Sequence, residues 1–136
     1  MTVNIEDAKD LVKISSETNR AFMVNNSANW RKQSIKTQEL VSSGSIGEIR
    51  HASIVFHAAL QSLFNDKKNI GWNEPTGEML GNGFGWGQLS HPLAWFFMVS
   101  GLTPSKVFTF NGKSQFTQAD MFNACSILCT NGATVS

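Results

Sequence analysis

The first apolar positions of the chain recur at helical spacing. Ile5, Ala8, Leu11 and Val12, with Ser15, share one face of NIEDAKDLVKISSETNR. Asn4 is placed as an N-cap and Asp7 at the third helical position in a capping-box arrangement, so a helix is predicted to about Thr18. Asn19-Arg20 reads as a turn. The apolar run AFMVN (21–25) predicts a buried strand, which needs neighbours to pair with and cover on both faces. NSANWRKQ (26–33) is a polar connection, and residues 34–42 read as a second helix stopped by Ser43-Gly44.

In EIRHASIVFHAAL (48–60) the period falls to two, and a long strand is predicted. Ala52, Ile54, Phe56, Ala58 and Leu60 share one face; His51, Ser53, Val55 and His57 share the other, which is mixed in character. Residues 61–87 carry little periodicity and many turn residues, so they read as a long loop, a feature that compact domains keep mainly for function. Leu89, Leu93, Phe96 and Phe97 return to helical spacing, with Gly101 as the stop and Pro104 just beyond. KVFTFNG (106–112) and ADMFNACSILCTNGATVS (119–136) predict two further strands, and Asn131-Gly132 is a strong hairpin signal. Only four residues follow that glycine, so its partner strand is expected to be cut off. Helices interleaved with strands make the expected class α/β.

Composition narrows the function classes. The 136 residues suffice for a domain that buries roughly two-thirds of its surface, and 41% hydrophobic against 15% charged content is that of a globular chain. A net charge of +1 argues against nucleic acid or a membrane surface as an electrostatic partner. Arg31, Lys32 and Lys36 read as a solvated helix face. The acidic, amphipathic N-terminus is unlike a secretory signal, and no apolar run approaches the roughly 20 residues of a membrane span. Cys125 and Cys129 alternate on one strand face about 13 Å apart, beyond the ~7 Å Cα reach of a disulfide. They are expected to be free thiols in a reducing, cytoplasmic setting.

The stretch GNGFGWGQLSHPLAWFFMVSG (81–101) sets four glycines at every second position just before an apolar helix, with His91 at the junction. Glycines allow close backbone approach, and a helix start suits a polar active-site group. His91 is read either as a proton acceptor, kept neutral by the helix N-terminus, or as a core histidine satisfied by a hydrogen bond. Trp86 and Gln88 flank it and offer a stacking face and a hydroxyl partner, although a tryptophan alone is more often packing. The spacing G-x-G-x-G-x-G with no preceding strand is not a dinucleotide fingerprint. His51 and His57 are about 20 Å apart along a strand, too far for joint metal ligation, and no cluster suggests zinc, so no metal is expected. Ser90-His91 lacks a nucleophile-elbow context, which argues against hydrolase chemistry.

Several segments together resemble the glucose-fructose oxidoreductase / inositol dehydrogenase / rhizopine catabolism (Gfo/Idh/MocA) family of NAD(P)-dependent oxidoreductases. NIEDAKDLVKISSETNRAFMVNN (4–26) looks like the helix and strand that close that family's Rossmann domain. QELVSSGSIGEIRHASIVF (38–56) is similar to its "K-E-L-I-x-S-G-x-I-G-E-I" passage into the second domain, and GWNEP (71–75) to a Trp-containing loop. Residues 81–101 align without gaps on "G-G-G-x-x-x-D-x-G-x-H-x-x-D…G", and ADMF…NGA (119–133) on a strand and Asn-Gly-Ala hairpin.

The resemblance implies residues 1–27 as the end of a truncated Rossmann domain. It implies 28–136 as part of a C-terminal substrate and dimerisation domain, an open-faced β-sheet with helices on one side. It implies NAD or NADP as cofactor, a sugar, polyol or related hydroxyl compound as substrate, and a homo-oligomer formed through the C-terminal sheet. It makes His91 the catalytic residue, and Trp86 and Gln88, which flank it, are expected to bind the substrate. The chain also departs from the pattern. Gly87 and Ala94 stand where the family has carboxylates, its catalytic lysine would fall upstream of Met1, and the phosphate-binding strand and helix are missing. A fragment of an oxidoreductase, inactive by itself, is therefore expected. The alternative is a non-catalytic, dehydrogenase-like module for ligand sensing or protein interaction.

Overall fold

The computed structural model describes residues 2, 4–69 and 83–136. The Trp-containing loop segment 71–75 and Gly81 lie outside the described residues. Helix α1, Ile5–Thr18, starts where Asn4 Oδ1 accepts the Glu6 N–H at 2.7 Å. It ends at Asn19 in the left-handed conformation (φ 51°), with the Arg20 N–H donating to Ser15 O at 3.1 Å. None of its residues is buried, and Ile5 and Val12 on the apolar face are exposed. The predicted strand 21–25 does not form. A strand is made by its partner's hydrogen bonds, none pairs with this segment among the described residues, and Phe22, Met23 and Val24 are exposed.

A single 3₁₀ turn, Ser27–Trp30, leads into helix α2, Lys32–Ser42, which ends at the predicted Ser43-Gly44 stop. Strand β1 is only His51–Ala52, although its ladder runs from the Thr134 N–H on Arg50 O (3.1 Å) to the Ile54 N–H on Ser136 O (2.7 Å). Beyond Ile54 no strand pairs with the segment among the described residues, so the long strand expected to residue 60 stops there. Among its described residues, the region read as loop includes the short helix α3 (Gln61–Asn65) and the start of α4 (Phe84–Gln88). Helix α5, Ser90–Ser100, ends at Gly101 as predicted.

Strands β2 (Pro104–Lys113), β3 (Asp120–Cys129) and β4 (Thr134–Val135) complete a four-stranded sheet in the order β1-β4-β3-β2. Only β1 and β4 run parallel. The Asn-Gly turn forms with Gly132 at φ 85°, and the Cys129 N–H bonds to Ala133 O at 2.8 Å. That hairpin supplies β3 with a partner on its second side, so β3 is an interior strand and its partner is short rather than missing.

The pleat sorts the side chains of β3. Ile127 and Cys129 point inward and pack with Val135 and Ala133 against Phe96 of α5, while Leu93, Trp95 and Phe97 flank this core. Helix α2 lies behind α5, tied to it by Trp95 Nε1–H on Ser34 Oγ (2.9 Å) and Gln38 Nε2–H on Met98 O (3.1 Å). The opposite sheet face is bare: Phe108, Phe110 and Phe122 are 60–69% exposed. This is the α/β arrangement expected, an open-faced sheet with helices on one side.

Candidate functional site

The glycine segment meets the sheet at the start of β3. A Cβ at Gly83 would stand 2.7 Å from Asp120 N and 2.9 Å from Ala119 Cβ, closer than such atoms approach. At Gly85 a Cβ would collide with the Asp120 carboxylate and come within 2.9 Å of Asn123 Nδ2. Glycine is what permits helix and strand backbones to meet here. The Asp120 side chain, itself buried, accepts from the Gly85 N–H and from Asn123 Nδ2 at 3.0 Å. Asn123 Nδ2 also reaches Asn111 Oδ1 at 3.1 Å, and Asn123 Oδ1 is buried with no hydrogen-bond partner among the described residues.

From this anchor the chain runs on as almost continuous helix. Gly87 N–H bonds to Gly83 O (2.9 Å), Leu89 N–H to Gly85 O (3.0 Å) and Leu93 N–H to Leu89 O (3.1 Å). Trp86 and Gln88 therefore ride on α4 and His91 on the first turn of α5. Trp86 and Gln88 are half-buried. His91 is exposed, and its imidazole makes no hydrogen bond or ion pair among the described residues. With Gly87 one turn before it, no side chain there orients the ring.

Beside this helical corner lies a cavity of about 440 Å³. Its walls are mainly apolar: Phe56, Phe84, Leu93, Met121 and Ile127 contribute, and the Phe84 ring meets Phe56 at 6.0 Å and Phe64 edge-on at 6.3 Å. Its polar groups come from His57, Gln61, Asn123 and Ser136. His91, Trp86 and Gln88 do not line it. The three sequence-selected residues thus lie within two consecutive helices, while a different set lines the hollow. Asn123 shares its face of β3 with Cys125, two residues on in the alternation. Nothing in the sequence marked Asp120, whose role depends on a contact 35 residues away.

Burial pushes the Cys125 thiol up, and both Cys125 and Cys129 are free. His51, the other histidine of the predicted strand, faces the open side. There its Nδ1 meets Thr134 Oγ1 at 2.8 Å and its Nε2 meets Ser53 Oγ at 3.2 Å. No group of three His, Cys, Asp or Glu gathers to hold a metal among the described residues. Nor do the glycines fit a dinucleotide: the amide that would take a phosphate oxygen at the start of α4 is already given to the Asp120 carboxylate. No helix among the described residues is long and apolar enough to cross a membrane.

No protein-family model matches the sequence, and no curated protein is similar to it at a significant level. Solved structures do match. A Bordetella bronchiseptica protein assigned as a dehydrogenase superposes with a TM-score of 0.80 at 15% identity, over 98% of this chain and 34% of its own. The WlbA dehydrogenase of Bordetella pertussis, solved with NADH and UDP-GlcNAcA, gives 0.74 at 16% identity, over 99% of this chain and 41% of its own. The aldose-aldose oxidoreductase of Caulobacter crescentus, solved with glycerol, gives 0.69 at 13% identity, over 99% and 39%. The chain thus has the fold of a part of these oxidoreductases, as the resemblance led one to expect. It spans less than half the length of each.

Proposed function

We propose that the chain is part of an NAD(P)-dependent oxidoreductase acting on a sugar, polyol or related hydroxyl compound. The observation that carries this reading is the glycine-built corner that seats α4 on β3 and leads without a break into α5, the two helices that bear Trp86, Gln88 and His91. In this reading the first 27 residues finish a dinucleotide-binding domain, which gives the exposed apolar face of α1 and residues 22–24 something to pack on. A second copy covers the bare sheet face. Hydride chemistry is the nicotinamide's, and none of the described residues fits its pyrophosphate.

The chain's own part is the proton. Oxidising a hydroxyl needs a group to accept its proton, and His91 at a helix start, with neither ring nitrogen hydrogen-bonded among the described residues, can accept it from the substrate hydroxyl. In the longer protein, His91→Ala should lower turnover by ~10²–10⁴-fold, the range for a lost general base, with cofactor affinity nearly unchanged. Steady-state rates over inositols, aldoses and nucleotide sugars, followed by nicotinamide absorbance, supply the measurement. Unchanged turnover would remove His91 from the chemistry.

The unpartnered imidazole and Gly87 favour a second reading, a dehydrogenase-like module that binds without turning over. Saturable sugar binding by calorimetry with no nicotinamide reduction for any sugar would select it.

A further inference from the structure

We propose that Asp120 is a positioning residue: its buried carboxylate fixes the start of α4, and thereby the placement of Trp86, Gln88 and His91. The segment FGWGQ has two glycines in five residues and cannot hold a helix by propensity. Isolated turns of this length do not persist in water. What holds it is outside the helix. Gly85 gives its N–H to Asp120 Oδ2, one of the first amides that a helix leaves without an internal acceptor, and a carboxylate there also meets the positive end of the peptide dipoles.

Three further features make Asp120 an anchor rather than an incidental contact. Asn123 Nδ2 bonds the same oxygen at 3.0 Å and Asn111 Oδ1 at 3.1 Å, so the carboxylate is fixed from β3 and, through Asn123, from β2. Rotating the Asn123 amide would turn its oxygen toward the carboxylate, so this arrangement has one sense. Gly83 and Gly85 lack the Cβ atoms that would collide with Asp120 and hold the backbones apart. The i to i+4 bonds from Gly83 to Leu93 then carry the anchored position to His91. A buried carboxylate on β3 thus decides where α4 and the start of α5 stand.

The positional part of this proposal stands without the function proposed above; its catalytic consequence rests on it. Amide hydrogen exchange by NMR on the full chain tests the first. Asp120→Ala should raise exchange at Gly85, Trp86, Gly87, Gln88 and Leu89 by about tenfold or more, the effect of losing a charge-assisted hydrogen bond. Amides of Ile127 and Cys129 should change far less. Asp120→Asn keeps the shape and one acceptor and removes the charge, so it should fall between Ala and wild type, and it serves if Asp120→Ala does not fold. Exchange unchanged at residues 85–89, or raised there and in β3 in equal proportion, would overturn the proposal. In the longer protein the same variants should lower kcat in the order Ala below Asn below wild type, with cofactor affinity held. A wild type that turns over no sugar removes the proposed function, while the exchange result still decides the position.

Discussion

At the scale of single residues, what could be read from the sequence was what depends on local chemistry. Asn4 as a cap, Gly132 as the left-handed turn residue and the alternation of Cys125 with Cys129 each need only their neighbours. The last has a chemical consequence. Burial raises the Cys125 thiol, so the folded chain keeps that proton where an unfolded chain begins to lose it, near the ordinary thiol value of about 8.5. The sign follows: its contribution to stability is intact below that pH and declines as pH rises through it toward the folded value. Cys125 should therefore be alkylated more slowly near neutral pH than the same thiol in denaturant, and Cys125→Ala should lessen the alkaline loss of stability. Alkylation rates followed by mass spectrometry, with chemical denaturation across pH, check both. Asp120 was illegible for the opposite reason, because a carboxylate opening a strand acquires its meaning only when a helix arrives above it.

Among the elements, periodicity located α1, α2, α5, β2 and β3, each long enough to show its period. It failed where a partner decides. The strand 21–25 has none among the described residues and did not form, β1 ends with its ladder, and α4 is helical in spite of its glycines because β3 supports it. The sequence singled out three residues near a glycine segment; that they do not line the neighbouring cavity could not be read there, since a hollow belongs to no single element. Pairing of elements also sets stability. The α2–α5 contact carries one buried polar tie, in which Trp95 Nε1 donates to Ser34 Oγ and Ser34 Oγ donates to Ala28 O at 2.6 Å. Trp95→Phe keeps an aromatic ring there and removes the indole donor. It should destabilise the chain by about 1–2 kcal/mol, the net worth of a part-buried hydrogen bond with some lost packing, as read from the urea midpoint at constant slope.

For the whole molecule the asymmetry of the sheet matters most. One face is covered by α5 over β3 and β4, while the other offers Phe108, Phe110, Phe122 and Leu128 to solvent beside the hydroxyl cluster of Ser53, Thr134 and Ser136. Such a face invites association. Sedimentation should show concentration-dependent self-association that Phe110→Lys with Phe122→Lys abolishes without changing the circular dichroism. A compact wild-type monomer at high concentration would contradict this. The strand order has a separate consequence, in time rather than space. β4 sits between β1 and β3 although it follows every other element along the chain, and His51 meets Thr134 across 83 residues. Closing so wide a loop is slow compared with zipping β2 onto β3 through a short turn. Refolding should therefore proceed outward-in, with the β2–β3 amides protected early and those of Ile54 and Ser136 last in pulse-labelling. During synthesis β1 would leave the ribosome as an unpaired apolar edge and wait for more than eighty residues, the interval in which a chaperone would have most to hold.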